Sequence, residues 1–287
     1  MNELLATVFT GIVTDENDHH YFVQKNGQTF KLNKEEGNHA LGEAVEGFGY
    51  LNQKKEASFT TEIPKIRKGH YAFAPVTDVR RNLGVFVDIG LPDKDIAVSL
   101  DELPTMHELW PKKGDRLMIA LVVDKKERIW ASLAEDKNFQ SLKKIANENM
   151  HNKDISGTVY RPKIVGTYLL TDDYYIGFVH PSERYMEPRL GEHVSGRVIG
   201  VRPDGVLNIS LKPRAYEAIP DDAAMIYAYL KQRPGQEMPY TNKTPPEDIK
   251  QLFGISKAQF KRALGHLMKQ GLIVQEEGLT KMVQNSN

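Results

Sequence analysis

Three segments of this chain can be laid over one another, and that repeat limits the fold more than any single motif does. GEAVEGFGYLNQKKEASFTTE, from Gly42, aligns without a gap with GDRLMIALVVDKKERIWASLA, from Gly114, so that Asn52-Gln-Lys-Lys falls on Asp124-Lys-Lys-Glu. A third copy, GEHVSGRVIGVRPDGVLNISLK from Gly191, fits with one extra residue placed in the turn. Each copy is a glycine, an acidic residue, an alternating strand, a polar turn and a second alternating strand: a β-hairpin written three times. Upstream of the second and third copies lie GVFVDIG with IAVSLDEL and GTYLLTD with IGFVHPSE; upstream of the first, HYFVQKNG with FKLNKEE is more degenerate. Each unit therefore holds about five strands in roughly 65 residues, the size of a small closed barrel.

The expected boundaries are 1–63, 64–134 and 151–213. Between the second and third units, residues 135–150 read as one amphipathic connector helix, with Phe139, Leu142, Ile145 and Met150 on its apolar side. From 217 to 284 the pattern changes to helix, short strand, helix, helix and hairpin. Asp221-Asp222 can cap the first helix. Thr244-Pro-Pro-Glu-Asp reads as the cap and first turn of the second, and Ser256-Lys-Ala-Gln as a capping box for the third. Lys257, Lys261, Arg262 and Lys269 lie on that third helix, with Phe260, Leu264 and Leu267 as its buried stripe.

Strand alternation sorts side chains by face. In Gly84-Val-Phe-Val-Asp-Ile, Val85, Val87 and Ile89 point inward, which turns Phe86 and Asp88 outward. The matching outward positions are Tyr168 in the third unit and Phe22 in the first. Phe178 and His180 join Tyr168, where the second unit has Ala97 and Ser99 and the first Lys31 and Asn33. On the last strand of the second unit Arg128 and Trp130 point out, just after Asp124 in the turn; Trp130 has no aromatic counterpart in the other units. Aromatic rings, guanidinium and small polar groups on one barrel face suit single-stranded nucleic acid, because bases stack on rings and cations meet phosphates. Outward aromatics can equally pack against a neighbouring domain. Recurrence at one position in three units favours binding.

The motifs Gly177-Phe-Val-His-Pro-Ser-Glu183, Ile209-Ser-Leu-Lys212 and Gly84-Val-Phe-Val87 resemble the RNA-binding repeat of ribosomal protein S-one, a five-stranded oligonucleotide-binding (OB-fold) barrel. The resemblance implicates Phe86, Asp124 and Arg128 in the second unit, and Tyr168 and His180 in the third, as RNA contacts. The third unit has Arg202 and Val206 at the Asp and Arg positions, and the first unit lends only Phe22. The C-terminal segment resembles the winged-helix family, whose third helix would be offered to a duplex groove or to RNA; winged helices also dock proteins. Three such barrels before a winged helix resemble, as a whole, the conserved virulence factor B family. The fold class implied is mainly β: three tandem five-stranded OB-fold barrels followed by an α+β winged-helix domain. The function implied is a cytoplasmic RNA-binding protein acting on gene expression after transcription.

Composition excludes more than it assigns. Among 287 residues there is no cysteine, which removes disulfides, thiol catalysis and iron–sulfur clusters. No run is long and apolar enough to cross a bilayer, and the first residues are acidic where a secretory signal is basic. No phosphate loop, Gly-x-Ser-x-Gly or His-Glu-x-x-His occurs, so no enzyme, cofactor, metal or small-molecule substrate is expected. The expected partner is single-stranded RNA, with duplex nucleic acid or protein at the winged helix; a DNA-binding transcriptional regulator and a scaffold on ribosome or RNA polymerase are the alternatives. Lys plus Arg and Asp plus Glu both number 38. That balance is segregated: residues 1–63 hold 5 basic and 10 acidic side chains, and the rest of the chain carries the compensating excess. The first unit is therefore expected to be the poorest RNA contact and to lie against a basic neighbour.

Overall fold

The computed structural model describes residues 3–213 and 219–283, which form two compact units divided between Leu211 and Lys212. The expected limits of the C-terminal domain, residues 217 and 284, lie outside the described residues.

The first unit is built of fifteen strands in three five-stranded sheets. The first sheet comprises β1 (Thr7–Glu16), β2 (His20–Lys25), β3 (Gln28–Asn33), β4 (Ala44–Leu51) and β5 (Ala57–Thr60). The second comprises β6 (Ala72–Arg80), β7 (Gly84–Val87), β8 (Ile96–Val98), β9 (Arg116–Val123) and β10 (Ile129–Leu133). The third comprises β11 (Asp154–Arg161), β12 (Thr167–Thr171), β13 (Ile176–Val179), β14 (His193–Val201) and β15 (Leu207–Ser210). In each, the first strand pairs with the second and fourth, the third pairs in parallel with the fifth, and the sheet closes on itself. Alternation holds: Val85 and Val87 are fully buried, and Ile89 joins them.

The repeat contains one residue that the alignment misplaced. The turn between the last two strands has the same length in all three sheets: Asn52 N–H donates to the Glu56 carbonyl, Asp124 N–H to Arg128, and Arg202 N–H to Val206. The extra residue of the third copy is instead a β-bulge in β14, where the register shifts between Val198 and Gly200. A bulge absorbs an insertion inside a strand without disturbing the turn that follows.

The connector differs from the single helix expected. Helix α1 runs only over Asp136–Leu142, Lys143 is extended, and a short 3-10 turn follows at Glu148–Met150. Phe139 is buried among Met118, Leu170, Ile176 and Val206, and Ala146 enters the third barrel's core, whereas Leu142 and Ile145 are exposed. The backbone of this stretch finds better partners outside a helix, with Lys144 N–H donating to Tyr174 and Ala146 N–H to Gly205.

The barrels share cores. Ala6, Phe48 and Tyr50 of the first, and Leu190 of the third, pack into the apolar cluster of the second. Arg189 places Nε and Nη2 at 3.2 and 3.1 Å from the Asp115 carboxylate, and Arg116 N–H donates to the Gly191 carbonyl at 3.0 Å. What the second barrel brings to the first is Asp93, accepting from Gln53 N–H, and a Lys94 ammonium that donates to the Leu51 carbonyl.

The second unit contains α2 (Ile219–Lys231), β16 (Glu237–Met238), α3 (Pro246–Phe253), α4 (Lys257–Lys269), β17 (Ile273–Glu276) and β18 (Leu279–Met282), with sheet order β16-β18-β17. Helix α2 begins at Ile219, so Asp221 and Asp222 sit in its first turn rather than at its cap. Thr244 does not cap α3: Pro245 and Pro246 offer no N–H for its hydroxyl, which instead accepts from Thr241 N–H at 2.8 Å. The Ser256–Gln259 capping box opens α4 as expected. No helix among the described residues is long and apolar enough to cross a membrane.

Candidate nucleic-acid interface

Each barrel presents one outward row across its second, third and fifth strands. The row is Phe22, Lys31 and Ser58 in the first barrel, where Lys31 pairs with both others. It is Phe86, Ala97 and Trp130 in the second, with Phe86 opposite Ala97. It is Tyr168, Phe178 and Asn208 in the third, where Phe178 pairs with both others. The aromatic partner of the second strand thus moves from the fifth strand (Trp130) to the third (Phe178).

In the second barrel Asp124 organises the row. Its Oδ1 accepts from the backbone N–H of Lys126 and Arg128 at 2.8 and 3.0 Å, and its Oδ2 accepts from Arg128 Nε at 2.7 Å and Trp130 Nε1 at 3.2 Å. These bonds, the Arg128 backbone N–H first, hold its carboxyl well below the usual carboxylate range. A carboxylate has about four lone-pair sites, and protein donors take them all. Asp124 is therefore placed to position Arg128 and Trp130 rather than to touch a ligand. The Arg128 guanidinium lies 5.1 Å from the Trp130 ring centre, and Arg80, held by Asp78, lies 4.9 Å from that of Phe86.

The third barrel reaches the same composition by other residues. Arg202, at the position matching Asp124, extends over Phe178 at 4.3 Å and donates from Nε to Asn208 Oδ1 at 3.0 Å. Arg161 lies 4.5 Å from the Tyr168 ring and forms an ion pair with Asp136. Tyr168 and Phe178 are both half-buried, 5.0 Å apart, at the end of an aromatic ladder that continues through Tyr160 to Phe139. Tyr168 is thus both a packing residue and part of the row. Gly166 makes room for Phe178: a Cβ there would fall 2.3 Å from its ring.

His180 has a structural duty as well. Its Nδ1 accepts from Ser182 N–H and caps a 3-10 turn at Pro181–Glu183. Ser99 and Asn33, at the matching positions, cap the equivalent turns. With Nδ1 accepting, the exposed His180 keeps Nε2–H for a ligand.

The first barrel's row is of opposite character. Glu56 stands where the second barrel has Arg128, and it takes the Lys31 ammonium at 2.7 Å and Asn52 Nδ2 at 2.9 Å. Phe22 is half-buried beside this pair.

On α4, Lys261 and Lys269 are exposed and Lys257 half-buried, whereas Arg262 does not belong with them. Its Nε is buried without a hydrogen-bond partner, and its charge acts on Asp222 of α2. Arg80, Arg161 and the placement of Arg202 over Phe178 were missed in the sequence. Ala74, Val76 and Val159 point inward, so strict alternation turns Arg80 and Arg161 inward too; bulges between Val76 and Asp78 and between Val159 and Arg161 reverse it.

Four family models match the chain in succession: an S1 domain over residues 7–62, the CvfB first S1-like domain over 71–132, the virulence regulatory factor CvfB second domain over 139–213, and the CvfB-like winged helix domain over 224–282. Uncharacterized protein YitL of Bacillus subtilis is 42% identical over 270 residues, covering 93% of this chain and 90% of its own. Conserved virulence factor B of Staphylococcus epidermidis is 39% identical over 258 residues, 88% of this chain and 86% of its own. A crystal structure from Streptococcus pneumoniae, described as a multidomain protein with nucleic acid binding domains, is 50% identical, covers 98% of this chain and 99% of that one, and superposes with a TM-score of 0.71.

Proposed function

We propose that this chain, which belongs to the conserved virulence factor B family, is a non-enzymatic cytoplasmic protein that holds single-stranded RNA on its second and third barrels and regulates gene expression after transcription. The observation that carries the reading is the pairing of rings with guanidinium groups on the outward rows: Phe86 with Arg80, Trp130 with Arg128, Tyr168 with Arg161 and Phe178 with Arg202. Bases stack on such rings whatever their sequence, and the adjacent cations meet the phosphates. The nucleic-acid-binding domains attributed to the Streptococcus pneumoniae relative support it.

Anisotropy of a labelled single-stranded RNA should show weaker binding by a Phe86→Ala/Arg128→Ala/Arg202→Ala variant than by the intact chain. Each stack removed is worth about 1–3 kcal/mol, so a loss of ten-fold or more is expected. Equal affinities would refute the rows as the binding surface.

Lys257, Lys261 and Lys269 on α4 favour a second reading, duplex DNA held by the winged helix. If duplex DNA outcompetes RNA, and Lys257→Glu/Lys261→Glu abolishes binding, that reading replaces the first.

A further inference from the structure

A groove of about 350 Å³ lies beside the second barrel's row, and neither motif nor row accounts for it. Its floor includes Thr77, Asp78 and Val79 of β6, and its far wall is Trp110. The wall is rigid: Trp110 is buried, its Nε1–H donates to the Pro104 carbonyl, and the His107 ring packs edge-on at 4.6 Å. The rim is cationic, with Arg81 from the β6–β7 turn and Lys112 and Lys113 from the segment leading into β9, all exposed. Among the described residues none of these three side chains forms an ion pair. The Lys113 charge acts on the outward Asp78, whose carboxylate already accepts from Arg80 and Val79.

Two features give the groove a direction. Asp78 lines it and is also the cross-strand partner of Phe86, so the groove starts where the row ends. Lys112 and Lys113 are also peculiar to this barrel. The two residues before the repeated glycine are Lys112 and Lys113 here, but Ala40 and Leu41 in the first barrel and Arg189 and Leu190 in the third. Arg189 is turned onto Asp115 and Leu190 is buried, so neither offers a free charge.

We propose that this groove seats the phosphate backbone of a single strand as it leaves Phe86, so that the second barrel binds a longer stretch than its row alone can reach. The inference rests on the row reading given above. Three unpaired cations around a concave, rigid wall suit a chain of phosphates. The volume is at the low end of small-ligand sites, enough for a sugar-phosphate and too small for a folded partner.

The test uses the intact chain, labelled single-stranded RNAs of about 4 and about 12 nucleotides, spanning the site sizes of such barrels, and a salt series. Arg81→Ala/Lys112→Ala/Lys113→Ala should leave the short RNA within about two-fold of the unsubstituted chain. It should weaken the long RNA about ten-fold and flatten its salt slope by about 2, since each phosphate no longer neutralised removes about 0.7 from the slope. Phe86→Ala should weaken both RNAs. An unchanged slope for the long RNA, with Phe86→Ala still damaging, overturns the groove and leaves the row standing. A flattened slope with no effect of Phe86→Ala supports the groove and overturns the row. Absence of RNA binding by the intact chain overturns both. Displacement of the long RNA by an equimolar mononucleotide overturns the strand in favour of a small ligand.

Discussion

Gly166 is the position where one methyl group should couple backbone strain to the packing of the Phe178 ring. Its φ is +147°, and an added Cβ would lie 2.3 Å from both Cε2 and Cζ of Phe178 and 3.0 Å from the Val179 carbonyl oxygen. Carbon atoms in contact sit about 3.5–4.0 Å apart, so the ring must retreat by more than about 1 Å. Gly166→Ala then costs about 1–3 kcal/mol for an L residue at that φ and about 1–3 kcal/mol for overpacking. Phe178→Ala alone should cost about 2 kcal/mol, since the ring is half-buried and a fully buried one costs about 3–5. In the double variant the ring clash vanishes, while the φ strain, the close approach to the Val179 carbonyl oxygen and the missing ring remain. Urea unfolding of the four proteins, followed by circular dichroism, should therefore show a favourable coupling of about 1–3 kcal/mol. Additivity within about 0.5 kcal/mol would refute the claim that the glycine exists to admit the ring. Gly84 supplies the contrast: its Cβ would strike the Val98 carbonyl oxygen at 2.1 Å, a backbone atom that trimming a side chain does not move. No such rescue is expected there.

His180→Ala should lose the cap of the following turn and destabilise by about 1 kcal/mol, whereas His180→Asn keeps it, as Asn33 does in the first barrel, and should stay within a few tenths. Thermal melts separate the two, and equal melts would refute the capping role. The Asp124 carboxyl is held below the usual range, so its contribution is complete above about pH 4 and is lost only as pH falls through the lower native value. A carboxyl-carbon titration by NMR with a midpoint at or above about 3.9 would contradict this. Arg262→Ala should lower the urea midpoint of the second unit because its charge faces Asp222, while Lys261→Ala on the exposed side should not.

The gapless match of the first two hairpins and the alternation around Val85 and Val87 were enough to read the sheets, because a strand buried on one face must alternate. Alternation tells which side a residue takes and nothing about what then covers it. Tyr168 was correctly turned outward, yet Tyr160 and Phe178 flank it in a ladder assembled from α1, β11, β12 and β13. His180 read as a ligand contact because a 3-10 turn needing a cap leaves no periodic trace. Arg202 stands at the position of Asp124, and its long side chain restores at Phe178 the guanidinium that Val206 cannot supply at the Arg128 position. Helical spacing over 135–150 was real, but hydrogen bonds to Tyr174 and Gly205 outweighed it.

The zero net charge takes on a geometric meaning once the rows are compared. All three barrels use the same turn, closed from its first residue to its fifth, and differ in what stands at those two places: Asn52 and Glu56, Asp124 and Arg128, Arg202 and Val206. In the first barrel the fifth residue is a carboxylate that ties down Lys31, the row's one cation. A phosphate brought there would meet Glu56 with Lys31 already engaged, at a cost of about 1 kcal/mol for each approach near 4 Å. In the other two barrels a guanidinium stands over a ring at the same height of the row. Of the acidic excess of residues 1–63, Glu56 stands at the row itself. If the second and third barrels hold a strand as proposed, that carboxylate disfavours its continuing onto the first.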